Sequence, residues 1–211
     1  LGTQMKSVGE ALAIGRTFTE ALNKAICAAE IGHEGLERLP IGYDGLDTML
    51  ETAHPLRLWA AYTVVFREGE RSIARLSKTT GFDPWVLRQM DEMASFEEEL
   101  QNGTVRPTAE QLMRAKRFGF TDRRIADLTG LDAATVGQLR EDTGVRSCYH
   151  LVDTCAGEFQ AETPYFYSTY GEIDEGRPLA ADSCGTGGGS SPVAILGSGP
   201  NRIGQGVEFD T

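Results

Sequence analysis

Between Leu56 and Thr143 the apolar positions recur at helical spacing, and one unit of that pattern occurs twice. Ile73-Ala74-Arg75-Leu76, followed by Gly81-Phe82-Asp83-Pro84-Trp85-Val86-Leu87, is echoed by Ile125-Ala126-Asp127-Leu128, followed by Gly130-Leu131-Asp132-Ala133-Ala134-Thr135-Val136. The copies are degenerate, because three more residues lie between Leu76 and Gly81 than between Leu128 and Gly130. Their physics is shared. A short amphipathic helix stops at a glycine able to take positive φ, an apolar residue follows, and an aspartate accepts orphan N–H groups of the next helix. Each copy predicts a helix, a tight turn and a second helix.

The same reading extends along the chain. Ser7 to Gly15 mixes small, apolar and polar residues and predicts a strand ended by Gly15. Thr17-Phe18-Thr19-Glu20 predicts a capping box, with the threonine serving the N3 amide and the glutamate reaching back to the cap. A helix to about Glu30 should follow, burying Ala21, Leu22, Ala25, Ile26 and Ala29, with Gly32 closing it. Leu36 to Tyr43 reads as irregular, and Asp44 as the cap of a short helix through Leu50. Pro55 is expected in the first turn of a helix to Glu68, on which Leu58, Trp59, Tyr62, Val65 and Phe66 form an aromatic-rich stripe suited to a core or a subunit contact. Pro84 to Gln101 is the longest predicted helix, with Trp85, Leu87, Met90, Met93, Phe96 and Leu100 inward and Glu97-Glu98-Glu99 facing water. Thr108 and Thr121-Asp122 should start two further helices, and Cys148 to Val152 turns extended. Gly176 to Ser191 reads as a flexible linker, and Val193 to Leu196 as a short buried strand.

Charge narrows the chemistry. Asp and Glu number 31 against 20 Lys and Arg, a net charge of -11, which disfavours nucleic acid and anionic membranes as partners. The repeated helix-turn-helix outline raises DNA binding, yet the helices after Asp83 and Asp132 are not basic, and phosphate contacts supply most non-specific affinity. The four cysteines form no C-x-x-C pair and the three histidines add no ligand spacing, so neither a metal site nor a disulfide framework is indicated, which fits a reduced cytoplasmic setting. No segment is long and apolar enough to span a bilayer. Gly197-Ser198-Gly199 after the Val193 strand resembles the start of a Rossmann-like βα unit, an alternative pointing to a small nucleotide-binding protein. Pro200 is unsuited to the close-packed helix start of that fingerprint. The chain opens at Leu1 in mid-pattern and stops at Thr211 just after a glycine loop, which reads as a piece of a longer polypeptide.

Several stretches together resemble one family: Met5-Lys6-Ser7-Val8-Gly9-Glu10 with Ala13-Ile14-Gly15-Arg16-Thr17; Val152-Asp153-Thr154-Cys155-Ala156 with Glu158-Phe159; Tyr167-Ser168-Thr169-Tyr170; and Gly199-Pro200-Asn201-Arg202-Ile203-Gly204-Gln205-Gly206 with Glu208-Phe209-Asp210. Their order and identity resemble the middle of the large subunit of carbamoyl phosphate synthetase. The resemblance implies a mainly α chain, a helical oligomerisation domain carrying the two helix-turn-helix-like units. Flanking it would be the end of one ATP-grasp half and the first strand of a Rossmann-like α/β half. The implied divisions are 1–29 for the end of the carboxyphosphate half, 30–178 for the oligomerisation domain, 179–191 for the linker and 192–211 for the start of the carbamoyl phosphate half. The implied parent is an ATP-dependent ligase using bicarbonate, two ATP and ammonia released from glutamine by a glutaminase small subunit, with Mg or Mn and potassium. It would serve arginine and pyrimidine synthesis. By the same likeness Gly206 and Glu208 line an internal tunnel for carbamate. Catalytic, cofactor and metal residues would lie upstream of Leu1 and downstream of Thr211, leaving this stretch inactive alone, a scaffold making homo-oligomer contacts.

Overall fold

The computed structural model describes residues 9–103, 106–163, 165–176 and 201–202. In chain order these hold β1 (Gly9–Glu10), α1 (Phe18–Ala28), α2 (Tyr43–Glu51), α3 (Arg57–Glu68), a 3-10 turn at Gly69–Ser72, α4 (Ile73–Thr80) and α5 (Pro84–Asn102). Then come α6 (Ala109–Arg117), α7 (Asp122–Thr129), α8 (Ala133–Asp142), β2 (Cys148–Leu151), β3 (Phe166–Thr169) and β4 (Asn201–Arg202). The fold is mainly α, as the sequence pattern predicts. Two short antiparallel ladders accompany the helices: β2 pairs with β3, and β1 with β4, placing Gly9 opposite Arg202 and Glu10 opposite Asn201.

At the centre lies α3, buried on every side from Trp59 to Val65 rather than along one stripe, because α2 and α5 pack on it and Leu36 and Leu39 precede it. A helix apolar all round is a core helix. Leu76, Leu87, Met93 and Phe96 are wholly buried beside it, each contributing about 1.5–3 kcal/mol relative to exposure.

Both copies of the repeated unit fold as anticipated. Gly81 and Gly130 take φ of 77° and 75° at the ends of α4 and α7, a conformation that costs any residue with a Cβ. The Asp83 carboxylate accepts from Trp85 N at 2.7 Å and that of Asp132 from Thr135 N at 2.9 Å, starting α5 and α8.

Other expectations are corrected. Among the described residues of the Ser7–Gly15 segment, only Gly9 and Glu10 are in a strand, since they alone find a partner in β4. On α1 the buried side chains are Thr19, Glu20, Asn23 and Ile26, not the alanines, because that face meets polar groups of the helical block. Gly42, not Asp44, occupies the cap of α2, and Pro55 lies in the turn before α3. Trp85 is 52 % exposed, its ring packed edge-on to Phe18 at 5.3 Å, because the first turn of α5 projects beyond the core. Glu98 and Glu99 face water but Glu97 is fully buried, drawn in by an arginine from α7. The predicted Gly176–Ser191 linker, apart from Gly176, and the Val193–Leu196 strand lie outside the described residues.

Candidate functional site

The polar groups of α1 face inward onto a junction. Asn23 donates from Nδ2 to Phe118 O at 2.7 Å and accepts at Oδ1 from Leu36 N at 2.7 Å. Gly119, with φ of 84°, lets α6 approach this closely: a Cβ there would sit 3.0 Å from Glu20 O and from the Asn23 Cβ. The Thr17 hydroxyl accepts from Glu20 N at 3.1 Å, the first half of the anticipated capping box. The second half differs. Glu20 Oε2 accepts from Arg16 N at 2.7 Å, one residue before the cap, and from the Thr169 hydroxyl at 3.0 Å. Lys24 lies 2.8 Å from Glu20 Oε1 and also donates to Ile14 O and Ser168 O. One buried carboxylate thus ties the start of α1 to β3, with its charge balanced by an ammonium. An open cleft of about 420 Å³ lies against this junction, with Arg16, Thr17, Arg117, His150 and Tyr170 in its wall.

A second cluster joins α6, α7 and α8 to the end of β3. Arg140 grips Asp122 with two parallel bonds, Nε to Oδ1 at 2.9 Å and Nη2 to Oδ2 at 2.7 Å, while Lys116 Nζ donates to Oδ1 at 3.0 Å and to Phe120 O at 2.8 Å. Burial works to raise the pKa of Asp122, but the bonds from Arg140 and Lys116 outweigh it and hold the carboxyl below its usual range. Burial lowers the pKa of Lys116 and raises that of Tyr170. Arg140 is therefore committed inward, which removes the cation on α8 best placed to meet a phosphate.

The third cluster is in the core. Arg124 Nη2 donates to Glu97 Oε1 at 2.6 Å, Arg38 Nε lies 3.8 Å from Glu97 Oε2, and the Tyr62 hydroxyl is beside them, its pKa pushed well up first by burial and then by Glu97. An open cleft of about 370 Å³ exposes the edge of this cluster between Arg38, Leu39, Pro40, Phe66, Arg67 and Arg124. Sequence reading placed Glu97 in water because spacing along α5 cannot show that Arg124, on another helix, is aimed at it.

Among the described residues no three His, Cys, Asp or Glu side chains converge to hold a metal, and no helix is long and apolar enough to cross a membrane. Gly206 and Glu208, and the Gly197–Gly199 loop, lie outside the described residues. A helical block whose buried charges are spent on internal ties, and which carries a two-stranded ladder between the segments that enter and leave it, defines a self-contained helical module.

Comparison with known proteins places that module. Residues 10–144 match the family described as carbamoyl-phosphate synthetase large chain, oligomerisation domain. The chain belongs to this family. It is 41 % identical over 222 residues to the carbamoyl phosphate synthase large chain of Archaeoglobus fulgidus, 44 % over 216 to that of Acidobacterium capsulatum and 41 % over 210 to that of Methanothermobacter thermautotrophicus. Each alignment covers 100 % of this chain and 19 %, 19 % and 18 % of the relative, so the chain spans about a fifth of the length of these relatives. The small nucleotide-binding protein and the helix-turn-helix DNA-binding protein find no support among these relatives.

Proposed function

We propose that the chain is the central stretch of a carbamoyl phosphate synthetase large subunit, spacing two ATP-grasp halves and making contacts between subunits. The observation that carries this reading is the family match over residues 10–144, joined to full-length alignment with large chains about five times longer. Residues 1–29 then close the carboxyphosphate half, 30–178 form the oligomerisation domain, 179–191 the linker, and 192–211 open the carbamoyl phosphate half. The parent is an ATP-dependent carbon–nitrogen ligase in the cytoplasm. It makes carbamoyl phosphate from bicarbonate, two ATP and ammonia delivered by a glutaminase small subunit. ATP, Mg or Mn, and potassium are bound by the flanking halves, because phosphoryl transfer depends on a phosphate cradle and metal-holding carboxylates. The stretch alone turns over no Mg-ATP.

Gly206 and Glu208 are proposed as walls of the carbamate tunnel, where a residue without Cβ keeps a path open that a side chain would block. Gly206→Phe in the full-length enzyme with its glutaminase partner is expected to spare glutamine hydrolysis and bicarbonate-dependent ATP hydrolysis while carbamoyl phosphate output falls at least about tenfold, a change of roughly 1.4 kcal/mol in the overall barrier. Parallel loss of all three activities together with thermal stability would instead make Gly206 a structural turn.

A further inference from the structure

The β2–β3 hairpin has only two strands, so among the described residues each strand has one side that faces no further strand. Val152 N donates to Tyr165 O at 2.7 Å, in register with the ladder. Amides alternate in direction along a strand, so those of Cys148 and His150 also point at β3, and those of Tyr149 and Leu151 point away from it. Both outward amides end on carboxylates of one short segment. Tyr149 N donates to Asp174 Oδ1 at 3.1 Å, Leu151 N donates to Glu175 Oε2 at 2.7 Å, and Tyr149 O accepts from Glu175 N at 2.8 Å. Gly176 lies so near that a Cβ on it would come within 3.2 Å of the Tyr149 Cβ. On the far side of the hairpin, Ser168 O of β3 accepts from Lys24 Nζ. Charged side chains thus sit on both edges, a device by which folded proteins keep a strand edge from pairing with another chain.

The β2 segment gives that device something to restrain. Ser147-Cys148-Tyr149-His150-Leu151-Val152 contains no Asp, Glu, Lys, Arg, Pro or Gly, and it lies between Arg146 and Asp153. A short uncharged run of β-prone residues pairs most readily with identical runs from other copies, and charges at its ends oppose this. The run also carries an outward-facing Tyr149 that is 47 % exposed. Little apolar surface fastens the segment that covers it, since Ile173 and Glu175 are both largely exposed, so its hold is mainly the three bonds to β2. We propose that Asp174–Gly176 is a strap that keeps the outer edge of β2 from pairing with the same edge of another copy, and that removing its two carboxylates turns the hairpin into a site of strand-to-strand association.

Amide hydrogen exchange and sedimentation velocity of the 211-residue chain test the strap. In the double variant Asp174→Ala, Glu175→Ala the amides of Tyr149 and Leu151 are expected to exchange at least about tenfold faster, while those of Cys148 and His150 keep their protection. The same variant is expected to form thioflavin-positive assemblies that the unaltered chain does not form, with helical circular dichroism unchanged at the outset. Asp174→Asn with Glu175→Gln keeps the acceptor oxygens and is expected to behave as the unaltered chain. Adding Tyr149→Pro to the alanine variant removes an outward donor without removing a bond to β3, and is expected to abolish the new assemblies. Faster exchange without assemblies, assemblies that survive Tyr149→Pro, or unchanged exchange at Tyr149 and Leu151 would each overturn the proposal. Loss of protection at Cys148 and His150 as well would make the segment an ordinary part of the fold and overturn it too.

Discussion

At the scale of single residues, the molecule's least forgiving position is Glu97. With no exposed surface and a 2.6 Å bond to Arg124, its charge is tolerable only while that guanidinium stays. Arg124→Met is therefore expected to cost about 3–5 kcal/mol, the penalty for stranding one partner of a buried pair. Pairing it with Glu97→Leu should return most of that loss, since a well-packed apolar pair often equals a buried ionic one. Urea unfolding of the single and double variants checks both values. Glu97, Glu20 and Asn23 were illegible as inward residues for one reason: their partners lie far along the chain, Arg124 for the first, Thr169 for the second, Phe118 for the third. A polar residue in a helical pattern points outward by default, and only the tertiary fold supplies the group that reverses it.

At the scale of elements, almost everything was legible, because caps and stops act within a few residues of themselves. Asp83 and Asp132 were readable as starts, Gly81 and Gly130 as stops, and Thr108 and Thr121 as caps from composition alone. The two units differ in the depth of their second helices. α5 sinks Leu87, Met90, Met93 and Phe96 into the core, whereas among the side chains of α8 only Val136 is buried. Asp83→Ala is expected to remove about 1 kcal/mol of stability, and Asp132→Ala to lower stability in the same direction. Their sites share no partner, so the double variant should lose close to the sum. Thermal melts of the three proteins test this. Two failures at this scale, Asp44 and Pro55, are displacements of one or two positions within the correct turn, the ordinary uncertainty of a helix end; the third, the Ser7–Gly15 strand, shrinks among the described residues to Gly9 and Glu10 because only these find a partner strand.

For the molecule as a whole, pH reports on the junction between helices and hairpin. Asp122 has a folded pKa below its ordinary value, so its contribution is complete above the unfolded carboxylate range near pH 4 and disappears as pH falls through the lower folded value. Acid titration followed by circular dichroism should show the parent chain losing stability below about pH 4. In Asp122→Asn that limb is expected to be shallower and the neutral-pH stability lower, because Arg140 and Lys116 lose the carboxylate that neutralises them. An unchanged acid limb would show that the cluster does not fasten α7 to α6 and α8. None of this cluster was readable beforehand: Lys116 sits on α6, Asp122 on α7 and Arg140 on α8, and only the turns at Gly119 and Gly130 bring them together.

The small ladder between β1 and β4 has a larger consequence than its length suggests. Glu10 and Asn201 face each other across it although nearly the whole chain runs between them. In an antiparallel pair such residues stand only about 4.5–5.5 Å apart. Entry and exit therefore share a doorway, with the helical block enclosed between its two posts. A short reverse turn suffices to span the gap between Glu10 and Asn201.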